Sequence, residues 1–276
     1  MKQRTITAIF FSAAMIGGIY GGVWPFFVLF LLIAAGSLWE FLGLMMPREQ
    51  PAYLLKRWGG TKLGLITLLL FVLNRFPDMF GVQDYRAWFA DWPFWMAFFA
   101  GWMLLMELFA TSKTPFQNFG FYAAGILYIA LPVAMLYDLA SLADYRPNRV
   151  MGIFWLIWTN DTMAYLIGSR IGRTKLFERI SPNKTWEGTL GGAVCTVLMS
   201  WLLSVYVSDF STAQWLAIGA MVGIFGTLGD LVESMLKRSL GVKDSGTLLP
   251  GHGGLLDRFD SFLFVLGWVW VVLRVV

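Results

Sequence analysis

The sequence predicts an all-α, polytopic integral membrane protein with about nine transmembrane helices. Three observations carry that prediction. Of the 276 residues, 58% are hydrophobic and 14% are charged, against roughly a quarter charged in an average soluble domain. The mean hydropathy is +0.64, and apolar runs recur from one end of the chain to the other. The cationic residues fall almost entirely into alternate loops. So little polar material excludes a soluble domain of ordinary size.

A hydrocarbon core takes about 20 apolar residues of helix. On that basis the spans lie near 6–22, 24–46, 62–74, 93–110, 119–141, 149–170, 188–208, 213–236 and 259–275. The first follows Lys2 and Arg4, as a signal peptide would, but a second apolar run begins at Trp24 with no polar start between them. It reads as an uncleaved span. The third is short for a crossing. Glu40 and Glu107 lie near span ends, within reach of the interface, and receive no role. The sixth span holds Asp161 at depth. The seventh holds Cys195, the only cysteine, which can form no intramolecular disulfide and reads as a small packing residue. The eighth carries Asp230 and Glu233.

Charge placement orients these spans. With the N-terminus cytoplasmic, alternation puts all 21 lysines and arginines on the cytoplasmic side except Arg75, Arg86, Arg146, Arg149 and Arg274, as the positive-inside rule demands. Loops 171–187 and 237–258 then share one face. Cysteine labelling of both loops should report the cytoplasmic side. Finding them on opposite faces would end any single-site reading.

Ionisable groups inside spans are costly and are functional candidates. Asp230, Ser234 and Lys237 fall at i, i+4 and i+7, so one helical stripe presents a carboxylate, a hydroxyl and an ammonium. The next stretch, from Lys243-Asp244-Ser245-Gly246 through Pro250-Gly251-His252-Gly253-Gly254 to Asp257-Arg258-Phe259-Asp260, is loop by composition. Its glycines permit close backbone approach to a ligand, and successive N–H groups there can form an anion-binding nest. Carboxylates and cations beside those glycines read as Mg²⁺ and phosphate binding. A second cluster runs through Gly168, Arg170, Gly172, Arg173, Ser181-Pro182-Asn183-Lys184 and Glu187-Gly188. Ser-Pro opens a turn, and Lys184, just before the seventh span, can serve as a point charge on a phosphate. The single histidine rules out any multi-histidine metal site.

Ser234 to Asp260 resembles the signature of the phosphatidate cytidylyltransferases without departure over those 27 residues. Asp161, Tyr165, Gly168, Gly172, Arg173, Ser181–Lys184 and Glu187-Gly188 are also similar to that family. The N-terminal half resembles it in hydropathy alone. The resemblance implies a polytopic helical fold, commonly a homodimer, that makes CDP-diacylglycerol and pyrophosphate from CTP and phosphatidic acid. It implies an N-terminal bundle over 1–148 and a catalytic region over 149–276, in a bacterial inner membrane with the site cytoplasmic. Asp230 and Asp257 would hold one or two Mg²⁺ ions, with Lys184, Lys237 and Arg258 supplying catalytic charge. Asp161, Ser181, Ser234, Arg238, Lys243, His252, Gly253 and Gly254 would bind substrate. The lipid phosphate would attack the α-phosphorus directly, with no protein nucleophile. No nucleic-acid partner is expected.

Two other readings use the same residues. A related lipid nucleotidyltransferase or kinase with a different lipid acceptor would need the same metal and phosphate groups. A cation transporter could use Asp161, Asp230 and Glu233 as a midplane path, but it would have no need of the glycine-rich loop and its cations.

Overall fold

The computed structural model describes residues 2–46, 48–50, 52–248 and 253–276. The helices in chain order are α1 (Lys2–Tyr20), α2 (Val23–Met45), α3 (Tyr53–Arg75), a short α4 (Arg86–Ala90), α5 (Trp92–Phe109), α6 (Pro115–Gly125) and α7 (Leu131–Leu139). There follow α8 (Pro147–Ile171), strands β1 (Lys175–Phe177) and β2 (Ser181–Thr185), α9 (Trp186–Tyr206), α10 (Thr212–Ser239) and α11 (Leu256–Val272). Each expected span overlaps one of these helices. α6 and α7 form one stretch, joined by a π-helical turn over Ile126–Ala130. Pro132, just beyond that turn, lacks a backbone donor and crowds the turn before it, which explains the local widening.

Among the described residues, α2, α6–α7, α8, α9 and α10 are long and apolar enough to cross a membrane by length and composition. α9 shows why the surrounding solvent is lipid. Leu190, Val194, Leu198, Trp201 and Val205 recur at helical spacing, and each is more than half exposed. Such a stripe is a liability in water and neutral in hydrocarbon. The chain is an integral membrane protein.

The chain forms two compact units. One comprises Met1–Tyr145 with Ser245–Leu256, the other Arg146–Asp244 with Asp257–Val276. In the first, Phe26 and Phe30 of α2 are fully buried with Tyr137 of α7. The Tyr137 hydroxyl donates to the Phe27 carbonyl at 2.7 Å. α3 begins at Tyr53, earlier than the sequence predicted, because its cations find partners. Lys56 pairs with Glu107 at 3.3 Å and donates to Ser112 Oγ at 2.9 Å. The Arg57 guanidinium lies 3.8 Å from the centre of the Trp39 ring and donates to the Trp39 carbonyl at 2.7 Å. Glu107 also accepts from Tyr122 and Asn118, at 2.7 and 2.9 Å. Glu107 and Glu40 are therefore buried, at 2% and 4% exposure. The expectation that they reach the interface is corrected: tertiary donors hold them inside.

In the second unit α8, α9 and α10 approach closely through small residues, as helices in lipid do. Gly188 and Gly192 of α9 lie against Gly168 and Ala164 of α8, and Gly223 of α10 lies against Ala193. Ser211 and Gln214 close a capping box at the start of α10. Between α8 and α9 the sequence predicted a turn at Ser181-Pro182. The structure places an antiparallel hairpin there, pairing Lys175 with Thr185 and Phe177 with Ser181. Its base is pinned to α9 by Glu187, whose carboxylate accepts from the N–H groups of Arg173 and Thr174, each at 3.1 Å. Thr185 caps α9 by accepting from the Gly188 N–H at 3.2 Å.

Candidate active site

The hairpin carries Lys184 on its second strand. Alternation along β2 turns Lys184 toward α10, where its ammonium pairs with the Asp230 carboxylate and lies 3.5 Å from the Thr227 carbonyl. Neither partner of that pair is fully buried, at 25% and 36% side-chain exposure, so both remain open to a ligand. They line a cavity of about 500 Å³ together with Asp161, Tyr165, Ser181 and Asn183. That volume falls within the roughly 300–1,000 Å³ of ordinary ligand pockets. Behind the cavity Asn160 of α8 donates to the Thr227 hydroxyl of α10 at 3.2 Å. Thr196 of α9 lies 3.5 Å from Asn160 Oδ1. Three helices are thus tied by one buried polar knot.

A second ionic group involves α10 and α11. The Lys237 ammonium bonds Glu233 at 2.5 Å and Asp257 at 2.7 Å. Their side chains are almost wholly buried, with Glu233 at 0% and Asp257 at 7% exposure. Among the described residues Glu233 Oε1 is buried with no hydrogen-bond partner. The expected stripe along α10 is therefore half realised. Ser234 does donate to Asp230, at 3.2 Å, but Lys237 turns to Glu233 one helical turn away.

Asp161 of α8, Asp230 of α10 and Asp260 of α11 interact electrostatically with one another. This donor set is entirely hard oxygen, the type that suits Mg²⁺. Among the described residues no three acidic, histidine or cysteine side chains lie close enough to form a metal cage alone. Mg²⁺ needs no such cage, since one or two carboxylates and substrate phosphates suffice. The residues fit the ion on those terms.

The cavity gathers Asp161, Ser181, Lys184 and Asp230, while Lys237 and Asp257 meet in the second group. Arg238 is exposed and donates to the Val242 carbonyl at 3.3 Å. Lys243 and Arg258 are exposed. Gly253 and Gly254 belong to the first unit, and Gly253 has φ of 85°, which favours glycine. His252 lies outside the described residues. The sequence marked Glu233 as an ionisable candidate and Asp260 among the carboxylates beside the glycine-rich loop, but not Thr227, a polar residue one turn from Asp230 in an apolar helix.

Residues 2–276 match the cytidylyltransferase family. The chain belongs to that family. It is 34% identical over 269 residues to a phosphatidate cytidylyltransferase of Staphylococcus saprophyticus, covering 96% of each chain. It is 34% identical over 278 residues to one from Bacillus subtilis, covering 99% of this chain and 97% of the relative. A Staphylococcus aureus relative of the same name is 40% identical over 166 residues, 59% of this chain and 62% of the relative. As a cytidylyltransferase, the chain has a nucleotide-transferring site to account for, and the Lys184–Asp230 cavity carries side chains of both charge signs.

Proposed function

We propose that the chain transfers CMP from CTP to phosphatidate, giving CDP-diacylglycerol and pyrophosphate. The observation that carries this reading is the Lys184–Asp230 pair in its polar cavity, in a cytidylyltransferase whose full-length relatives bear that activity in their names. A phosphatidate phosphate oxygen forms a new bond to the α-phosphorus, the α–β phosphoanhydride bond breaks, and the electron pair leaves on pyrophosphate. No side chain need form a covalent intermediate. The residues' work is positioning and charge neutralisation.

Lys184 offers an ammonium to phosphate oxygens, with Ser181 and Asn183 beside it on β2. Ser234 orients the Asp230 carboxylate through its hydrogen bond. Lys237 holds Asp257 against Glu233 and fixes the start of α11. Asp230, with Asp161, Asp257 or Asp260, would hold Mg²⁺, which when bound neutralises triphosphate charge and stabilises the leaving group. Phosphatidate stays in the bilayer, so its headgroup reaches the cavity laterally, at the cytoplasmic headgroup level that the charge asymmetry assigns.

The test is direct. Purified protein in mixed micelles, given labelled CTP, Mg²⁺ and either phosphatidate or a polyprenyl phosphate, should label the phosphatidate product alone. Labelling of the polyprenyl lipid instead would move the acceptor assignment. Asp257→Asn should purify normally, because Lys237 keeps Glu233, and should lose Mg²⁺-dependent turnover, since an amide is a weaker ligand for a hard cation. Full turnover by that variant would remove Asp257 from the metal set.

A further inference from the structure

The segment 245–256 is anchored by a carboxylate more than 200 residues away in sequence. Glu40 sits on α2, 4% exposed. Its Oε2 accepts from the backbone N–H of Leu256 at 2.9 Å and from the Ser245 hydroxyl at 3.2 Å. One oxygen therefore holds both ends of the glycine-rich segment. Leu256 is the first residue of α11, so its N–H is one of the donors a helix start leaves without an intrahelical partner. A carboxylate at that end is also favoured by the helix dipole.

The packing is as specific as the hydrogen bonds. A methyl group at Gly246 would lie 2.7 Å from Glu40 Cδ and 3.0 Å from Cγ, and Glu40 supplies all three of its nearest atoms. At Gly254 it would lie 2.5 Å from Glu40 Oε2 and 2.7 Å from the Gly246 nitrogen. Gly36, one turn before Glu40 on the same face of α2, would meet Leu255 at 2.6 Å and Leu248 at 3.6 Å. Three glycines thus leave room for Ser245–Leu248 and Gly253–Leu256 to pack against one buried carboxylate. Among the described residues Glu40 Oε1 is itself buried with no hydrogen-bond partner, a costly arrangement for a group that served packing alone.

We propose that Glu40 is a positioning residue for the transfer reaction: it ties both ends of the 245–256 segment to the first turn of α11, and so fixes where the helix carrying Asp257 as its second residue begins. This rests on the reading that Asp257 serves the transfer site. It assigns to α2, which carries no motif, a part in the chemistry of the C-terminal signature.

The test uses the full-length protein in mixed micelles, with steady-state kinetics and amide hydrogen exchange read side by side. Glu40→Gln keeps shape and loses charge. It should lower kcat by about tenfold or more, leave the KM for CTP within about twofold, and speed exchange in peptides containing Ser245–Leu248 and Gly253–Leu256. Exchange in α8, α9 and α10 should stay at the wild-type rate. Gly246→Ala should lose activity similarly, and Glu40→Asp/Gly246→Ala should recover part of it, because the shorter acid withdraws from the added methyl. Wild-type kcat and exchange in Glu40→Gln would overturn the proposal. So would faster exchange throughout the protein, or losses that simply add in the double variant. If the wild-type protein makes no CDP-diacylglycerol, the functional reading falls instead, and local exchange alone decides whether Glu40 holds the segment.

Discussion

Lys184→Ala should lower turnover by about one to two decades while the protein still inserts and purifies normally. The figure follows from losing one charge-assisted contact in a partly desolvated site, roughly 1.5–3 kcal/mol, read as a rate. Lys184 is one quarter exposed and stands at the end of a surface hairpin, so its removal leaves no core void. Asp230, at 36% exposure, can be rehydrated when its partner goes. The loss should therefore appear in catalysis and not in stability. Lys184→Arg should recover only part, since a planar guanidinium does not reproduce a compact ammonium. Near-normal turnover by Lys184→Ala would return this lysine to the role of a topology charge.

Lys237→Met should have the opposite signature, with a large loss of stability. Its ammonium is the shared partner of two buried acids, Glu233 and Asp257. Removing one member of a buried ion group costs about 3–5 kcal/mol, here chiefly through Glu233, which is fully buried. Thermal unfolding in detergent should show a clear fall in midpoint against wild type. Adding Glu233→Gln should restore part of it, because the buried Glu233 charge that lost its ammonium is then gone. A Lys237→Met protein as stable as wild type would mean that water reaches this group and that the network contributes little.

The two lysines look alike in sequence, each close to a helix end and in a basic loop region. What separates them is the company each keeps after folding. The stripe of Asp230, Ser234 and Lys237 illustrates the limit. Seven residues return a helix nearly to the same face, but they also advance it by about 10 Å along the axis. Lys237 accordingly bonds Glu233, one turn away, and Asp257 from α11.

Hydropathy is local, so the apolar runs placed most of the helices, and length with composition makes five of those among the described residues able to cross a bilayer. Residue type is also local, so Lys184, Asp230, Asp257 and the glycine-rich segment could be singled out as candidates for metal and phosphate binding before any fold was known, and the family resemblance added Asp161. Partnership is not local. Which carboxylate meets which ammonium depends on the faces that packed helices turn to one another, and small residues such as Gly188 and Gly223 set that approach without announcing it. The pairing of Lys184 with Asp230, the burial of Glu107 against Lys56, the hairpin over 175–185 and the reach of Glu40 to Leu256 across 216 residues of sequence were decided by tertiary structure. A buried charge is tolerated only where the fold brings a donor or counter-charge to it, and no window of sequence contains that information.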